Sequence, residues 1–285
     1  MPEMPQMQAL AERLDVALRG AELVAAEPIG FSGLKTVVPA PDELLGRAVV
    51  QIGRRAKYLV VEFEAGYRLL LHLSQAGRID LEDPPPAKPK RPKGSVVRLG
   101  FRRPDGNEVS LLLREWGTER KAAWWVLAPG DDGPLDRLGP EVGSDEFAVF
   151  VRTSDDNRRI HTLLRDQRTV AGVGRGYADD ALHLARLSPY ATLKGLSAEE
   201  RERLLDALER VLADGLERER TRTGGLSANK LGEHFDVHGR AGQPCPLCGT
   251  TMERVSYEAY EITYCPHCQT NGKVLADRRT SRFLK

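Results

Sequence analysis

Cysteine, long apolar runs and any surplus of one charge are all scarce in this chain. Four cysteines are spread over 285 residues, a length that lets each domain bury its own core, so a disulfide-held miniprotein is excluded. Apolar stretches such as Val60-Val61 and Leu69-Leu70-Leu71 fall far short of the ~20 residues that cross a bilayer. The start, Met1-Pro2-Glu3-Met4-Pro5, has no basic segment followed by an apolar one. No secretory leader is therefore expected, and the cytoplasm is the default location. With 42 Lys and Arg against 41 Asp and Glu, the formal charge is only +1.

That near-neutrality hides two basic runs. Lys88, Lys90, Arg91, Lys93, Arg98, Arg102 and Arg103 occur with no acid between Pro84 and Asp105, and Lys273, Arg278, Arg279, Arg282 and Lys285 face only Asp277 in the tail. Either run suits a polyanion or is simply a solvated loop. Hydrophobic residues at 41% and charged residues at 29% are ordinary for a globular chain. At roughly 150 residues per domain the length suggests two sizeable domains.

Spacing divides the chain further. From Gln6 to Gly20 the apolar positions Met7, Leu10, Ala11, Leu14, Ala17 and Leu18 follow helical periodicity, with Gly20 as the stop. Short β-rich runs follow at Tyr58–Phe63, Arg68–Leu73, Val96–Phe101, Val109–Leu113 and Trp124–Leu127. Turn residues separate them, which predicts antiparallel hairpins in a sandwich or barrel. Composition shifts again at Pro129–Pro134, and Ser197-Ala-Glu-Glu200 opens an apolar stripe from Leu204 to Leu216, the mark of a capped helix. The expected division is 1–130, 131–236 and 237–285, an α+β chain with its β-rich part first.

All four cysteines fall in the last segment. Cys245-Pro-Leu-Cys248 and Cys265-Pro-His-Cys268 enclose 16 residues, a spacing at which two knuckles close a tetrahedral zinc site. Four thiolates leave no open position, so one structural Zn²⁺ is expected, holding a hairpin from about Met252 to Tyr264. A redox dithiol pair or chance spacing are the alternatives. His267 lies between ligands of a complete set and is read as a surface or phosphate-facing residue.

At the other end, a methionine followed by proline is normally trimmed, which would expose the secondary amine of Pro2. An α-amino group with an ordinary pKa near ~8 is partly neutral at physiological pH, and the positive end of the following helix favours the neutral form. Beside the Glu3 carboxylate, such an amine suits attack on a sugar carbon with proton transfer. Many chains begin Met-Pro, so the pair alone decides nothing.

Taken in order, further segments carry a resemblance. Pro2-Glu3-Met4-Pro5, Arg55-Ala-Lys57-Tyr58-Leu59, Leu71-His72-Leu73-Ser74-Gln75-Ala76-Gly77, Arg114-Glu-Trp116-Gly117, Leu138-Gly139-Pro140-Glu141, Gln167 with Gly172-Val-Gly174-Arg175-Gly176-Tyr177-Ala178, Val237-His-Gly239-Arg240 and the two cysteine pairs together resemble the formamidopyrimidine-DNA glycosylase/endonuclease VIII family. The resemblance spans essentially the whole chain. It implies an N-terminal β-sandwich, a helix-two-turns-helix module and a zinc-finger β-hairpin, acting as a monomer on double-stranded DNA that contains a damaged base or an abasic site.

The same resemblance implies roles. Pro2 matches the nucleophile that attacks C1′, Glu3 the general acid/base, and Lys57 a lysine that contacts phosphate and assists the chemistry; a surface lysine is the alternative for Lys57. A base must leave the stack before its sugar is attacked, and something must fill the gap. Arg114 and Trp116 match the void-filling arginine and aromatic wedge, although Trp116 could be a core ring. Gln75 matches the intercalating position. His72, Gly174, Arg175 and Tyr260 complete the expected DNA contacts, with Gly172-Val-Gly174 letting backbone amides approach a phosphate.

Departures from the pattern bear on activity. Gln6 and Gln8 stand where glutamates are usual, His161 where a lysine is common, and Arg175-Gly176 replaces asparagine-isoleucine. Tyr260 occupies the position of a phosphate-binding arginine, which implies a weaker grip on the damaged strand. The segment from Gly224 to Arg240 is short for a loop covering an extruded oxidised purine, which leans toward oxidised pyrimidines, abasic sites or a bulky adduct. Three functions compete: a base-excising glycosylase with abasic-site lyase activity, a noncatalytic damage-binding protein on the same scaffold, and a zinc-ribbon regulator reading intact DNA. The last leaves the N-terminal residues unexplained.

Overall fold

The computed structural model describes residues 2–30, 32–116, 121–222, 235–256 and 260–276. Contacts divide the chain into two compact units, Met1–Asp136 with Glu219–Leu231, and Arg137–Arg218 with Gly232–Lys285.

The first unit opens with α1 (Met4–Leu18). Glu3 is its N-cap, and the Glu3 N–H donates to the Gln6 side-chain oxygen at 3.0 Å, which satisfies one donor left free by the helix start. The chain leaves the helix at Gly20, whose φ of 78° lies in the left-handed region where glycine meets no Cβ penalty. Met7, Leu10, Leu14 and Leu18 are buried in the unit's core, as their spacing requires.

Eight strands follow: β1 (Glu22–Pro28), β2 (Val49–Arg55), β3 (Tyr58–Phe63), β4 (Arg68–His72), β5 (Gly77–Glu82), β6 (Ser95–Arg102), β7 (Glu108–Glu115) and β8 (Ala123–Leu127). They form two four-stranded sheets, β1-β6-β7-β5 and β2-β3-β4-β8, and every neighbouring pair is antiparallel. Alternation sets the faces. Leu59, Val61 and Phe63 of one sheet share a core with Val97, Leu99 and Leu111 of the other, whereas Val60 and Leu70 pack with Leu127 in a separate cluster. This is the expected sandwich. Part of the basic run is neutralised inside the unit: Arg98 pairs with Glu82 at 3.2 Å and Arg103 with Asp83 at 2.7 Å, while Arg91 pairs with Glu27.

The second unit holds α2 (Asp145–Thr153), α3 (Ile160–Arg165), α4 (Arg175–Leu184), most of α5 (Ala198–Thr221), the hairpin β9 (Glu253–Ser256) and β10 (Glu261–Tyr264), and α6 (Pro266–Thr270). The capping box at the start of α5 is formed: Glu200 N–H donates to Ser197 Oγ at 3.3 Å and Ser197 N–H to the Glu200 carboxylate at 3.0 Å. Among the described residues, no helix is long and apolar enough to cross a membrane. The basic tail beyond Ala276 and the short segment 223–234 lie outside the described residues.

Candidate active site and metal centre

Pro2 and Glu3 are buried where α1 begins. Pro2 lines a recess with Gln6, Met7, Leu10, Arg13, Leu73 and Glu219. Arg13 secures the far wall, its guanidinium donating to the carbonyls of Glu219 and Arg222 at the end of α5. Glu12 accepts two hydrogen bonds from Arg220, at 2.7 and 2.9 Å. Neither Glu219 nor Arg13 stands out in the sequence, because their meeting depends on a separation of 206 positions.

Lys57 follows directly on Ala56, whose φ is 53°. Arg55 pairs with Tyr58, so Ala56 and Lys57 form a two-residue hairpin turn, with Ala56 in a backbone region costly for a residue with a Cβ. Although it sits at a turn, Lys57 is only 4% exposed, which sets aside the solvated-surface alternative. Tyr58 pairs across the ladder with His72, their rings 4.8 Å apart. Burial, with the Lys57 charge adding to it, pushes the His72 pKa down to about 4. His72 is therefore a neutral imidazole at neutral pH, and the next residue, Leu73, lines the Pro2 recess.

The expected wedge residues converge on one edge of the first unit. Gln75 is exposed in the β4–β5 loop, and the Trp116 N–H donates to the Ala76 carbonyl at 3.1 Å, joining that loop to the end of β7. Trp116 is 69% exposed, while Trp124 is fully buried. The core ring is Trp124, and the Trp116 ring is left on the surface. Arg114 lies over the Trp116 ring at 4.8 Å and pairs with Asp80. Buried Glu115 accepts from the N–H groups of Lys121 and Ala122, each at 3.0 Å, and so pins the chain just after the 117–120 segment.

In the second unit, the loop before α4 is shaped by Gln167. Its side-chain oxygen accepts from Gly172 N–H at 3.0 Å and its amide donates to the Val173 carbonyl at 2.8 Å. Gly172 has a φ of 96° and Gly174 caps α4, so Arg175 is the first helical residue, at the end where backbone donors favour an anion. Gly176 is fixed by packing: a Cβ there would lie 2.2 Å from the Phe235 ring.

His161, which stands where a lysine is common, is buried. It is 0% exposed, lies 3.0 Å from the fully buried Asp179 carboxylate, and stacks on Tyr260 with ring centroids 6.2 Å apart. The second Asp179 oxygen accepts from the Thr263 N–H and lies 2.7 Å from His238 Nδ1. Burial opposes the charged form of Asp179, and the two histidines overcome it, holding the carboxyl below its usual range. Burial instead prevails at its neighbour Asp180, pushing the pKa up to about 6 although the carboxylate accepts three backbone N–H bonds from residues 236–238 at 2.9 to 3.1 Å. A cation stands beside Tyr260 all the same, because the Arg165 guanidinium of α3 lies 3.8 Å from the centre of the Tyr260 ring. Neither Arg165 nor Asp179 is signalled in the sequence, since their partners are remote in the chain.

The four cysteines come together. Cys245 and Cys268 sulfurs are 3.9 Å apart and those of Cys248 and Cys265 are 3.6 Å apart. A tetrahedral zinc with Zn–S bonds of about 2.3 Å places its sulfurs about 3.8 Å from one another, so the spacing fits. The donors also need the ion. Cys248 is pulled down to about 6 by hydrogen bonds from Thr250, but burial and the neighbouring sulfurs push Cys268 up, and a divalent cation relieves that crowding of charge. Exposed His267 sits at the rim, with a ring nitrogen within 4.8 Å of the Cys248 and Cys268 sulfurs.

Three family models match the chain: the formamidopyrimidine-DNA glycosylase N-terminal domain over residues 1–113, the formamidopyrimidine-DNA glycosylase H2TH domain over 138–225, and the zinc finger found in FPG and IleRS over 242–271. The formamidopyrimidine-DNA glycosylase of Roseiflexus sp. is 35% identical over 94% of this chain and its own full length. That of Thermus thermophilus is 31% identical over 95% of the chain and all of its own. A formamidopyrimidine-DNA glycosylase-like protein of Mycobacterium tuberculosis is 40% identical over 52% of this chain and 94% of its own length. Among solved structures, Lactococcus lactis Fpg with abasic-site DNA superposes at a TM-score of 0.80 over 94% of this chain and 99% of that one, and its complex with N7-Benzyl-Fapy-dG DNA at 0.81 over 94% and 100%, both at 22% identity. The fold is theirs, and the cysteine cluster is that of a zinc finger holding one structural zinc. With its N-terminal sandwich, helical module and zinc hairpin each accounted for, the chain belongs to the formamidopyrimidine-DNA glycosylase family.

Proposed function

We propose that this protein excises damaged bases from double-stranded DNA and cleaves the resulting abasic site, working as a monomer. The observation that carries this reading is the burial of Pro2 and Glu3 at the head of α1, with Pro2 on the wall of a recess. Once Met1 is removed, the Pro2 nitrogen would attack C1′ of the damaged nucleotide, the base leaving as the N-glycosidic bond breaks. Glu3 would move protons to and from the opened sugar. The iminium then acidifies the sugar so that β-elimination, followed by δ-elimination, releases the strand phosphates.

The remaining residues support the substrate. Lys57 and His72 would meet phosphate near the reacting sugar, and Gln75, Arg114 and Trp116 would fill the stack vacated by the extruded base. Gly174 and Arg175 offer a helix start to a backbone phosphate, and Tyr260 presents Arg165 to another. The short segment between Gly224 and Arg240 favours oxidised pyrimidines, abasic sites or a bulky adduct as the lesion.

Borohydride reduction in the presence of an abasic-site duplex tests the chemistry: a covalent protein–DNA adduct forms and is lost in Pro2→Gly. A panel of duplexes with oxidised purines, oxidised pyrimidines and alkylated bases identifies the lesion. A noncatalytic damage-binding role is the second reading, favoured by the aromatic pair His161 and Tyr260. It holds if the duplex is bound tightly with neither adduct nor cleavage.

A further inference from the structure

Four sulfurs suffice for a tetrahedral zinc site, yet a fifth donor lies against them. His183 on α4 is buried, and its Nε2 is 3.2 Å from the Cys245 sulfur. That nitrogen and the sulfurs of Cys245, Cys265 and Cys268 all lie within 4.8 Å of one another. They form a compact group of three thiols and one imidazole that does without Cys248. The omitted sulfur is the exposed one, whereas Cys245 and Cys265 are buried.

The group has the chemistry of a metal site in its own right. Three cysteines and one histidine are an ordinary structural zinc set, and Zn–S and Zn–N bonds of about 2.3 and 2.0 Å put neighbouring sulfur and nitrogen about 3.5 Å apart. The observed 3.2 Å separation is already close to that edge. The buried side of the site is also held independently of Cys248. Cys265 N–H donates to the Gln269 side-chain oxygen at 2.8 Å, and the Gln269 amide donates to the Leu187 carbonyl at 2.9 Å.

We propose that His183 is a standby zinc ligand. With four thiolates bound, its Nε2–H donates to the Cys245 sulfur, a partner that orients the ligand as outer contacts of zinc sites do. When the Cys248 sulfur is lost, the imidazole proton resides on Nδ1 and Nε2 binds the metal, so that the ion stays in a three-sulfur, one-nitrogen site. The exposed ligand is then dispensable and the other three cysteines are not.

Metal content of the purified full-length chain tests this. Cys248→Ser retains about one zinc per chain and Cys265→Ser retains none, while Cys248→Ser combined with His183→Gln loses the metal that either single change keeps. Cobalt(II) bound to Cys248→Ser shows the absorption of a three-sulfur, one-nitrogen site. A second measurement uses the folded, zinc-loaded protein: iodoacetamide alkylates the exposed Cys248, its thiolate sulfur displacing iodide, as checked by peptide mapping. Zinc then passes to a colorimetric chelator at least tenfold faster in His183→Gln than in the unsubstituted chain. The proposal is overturned if Cys248→Ser is as empty as Cys265→Ser, if the double variant holds zinc as well as Cys248→Ser, or if alkylation releases zinc equally from both proteins. All these readouts stand apart from DNA cleavage.

Discussion

Asp80 holds Arg114 by two contacts, at 2.5 Å to Nη2 and 2.6 Å to Nε. The same guanidinium covers the exposed ring of Trp116, so the residue expected to face an orphaned base is fixed in place by its own strand neighbours. Arg114 and Arg78 are paired across β5 and β7, with Asp80 two positions along on the same face, which is why a carboxylate there can reach it.

Removing the ring should cost more than releasing the arginine. Stacking is worth about 1–3 kcal/mol per base, so Trp116→Ala should weaken binding of an abasic-site duplex by about 5- to 150-fold by fluorescence anisotropy. Asp80→Ala breaks a partly exposed ion pair worth up to about 1 kcal/mol, and a loss of about fivefold or less is expected. A larger effect for Asp80→Ala than for Trp116→Ala would contradict the wedge role.

Glu3→Gln separates chemistry from folding. The helix-capping hydrogen bond uses the Glu3 backbone N–H and survives the change, whereas general acid/base transfer by a carboxylate typically contributes about 10²–10⁴-fold. Single-turnover cleavage should fall by that order with the melting temperature little changed. Cleavage at the unsubstituted rate would remove Glu3 from the mechanism.

His72 should make the fold acid-sensitive. Its folded pKa of about 4 lies below the ordinary 6.5, so between these values the unfolded chain takes up a proton that the native one refuses. Its contribution is intact above pH 6.5 and is lost progressively as pH falls toward 4. Asp180, raised to about 6, works in the opposite direction over part of this range. Urea titrations at stepped pH should therefore show a stability loss on acidification that is smaller in His72→Phe than in the unsubstituted chain.

Arg165 should behave as a phosphate contact. A lysine or arginine at a phosphate lowers the slope of log affinity against log salt by about one when removed, whatever the DNA sequence. Arg165→Ala should do so, and Tyr260→Ala should weaken binding too, since the ring at 3.8 Å is what positions the guanidinium. An unchanged salt slope in Arg165→Ala would assign the cation a structural role instead.

Much of this organisation is legible in residue order. The run Tyr58–Phe63 reads as a strand and β3 is found there, because a stretch of aromatic, leucine and valine residues broken only by Glu62 suits a strand buried over most of both faces. β1, β2 and β5 carry no comparable signal. β1 begins and ends with polar or breaking residues and is half exposed, and β2 contains Gly53 with two arginines, so local propensity is weak and pairing with neighbouring strands decides. β5 does alternate, with Ile79 inward and Arg78 and Asp80 outward, a short signal easily read as loop. At the sites, Pro2, Glu3 and the cysteines are visible because motif spacing is local. Asp80, Glu219, Asp179, Arg165 and His183 are not, because each acquires its meaning from a partner that folding alone brings near.

Arg13 donates to the last carbonyls of α5, and Glu12 anchors Arg220 beside them. A cation at a helix C-terminus complements the backbone dipole, so fraying of that end strands a guanidinium as well as opening the last helical turn. The head of α1 and the tail of α5 are thereby a single cooperative opening unit. Their slow amide protons should therefore exchange together, which native-state hydrogen exchange reads directly.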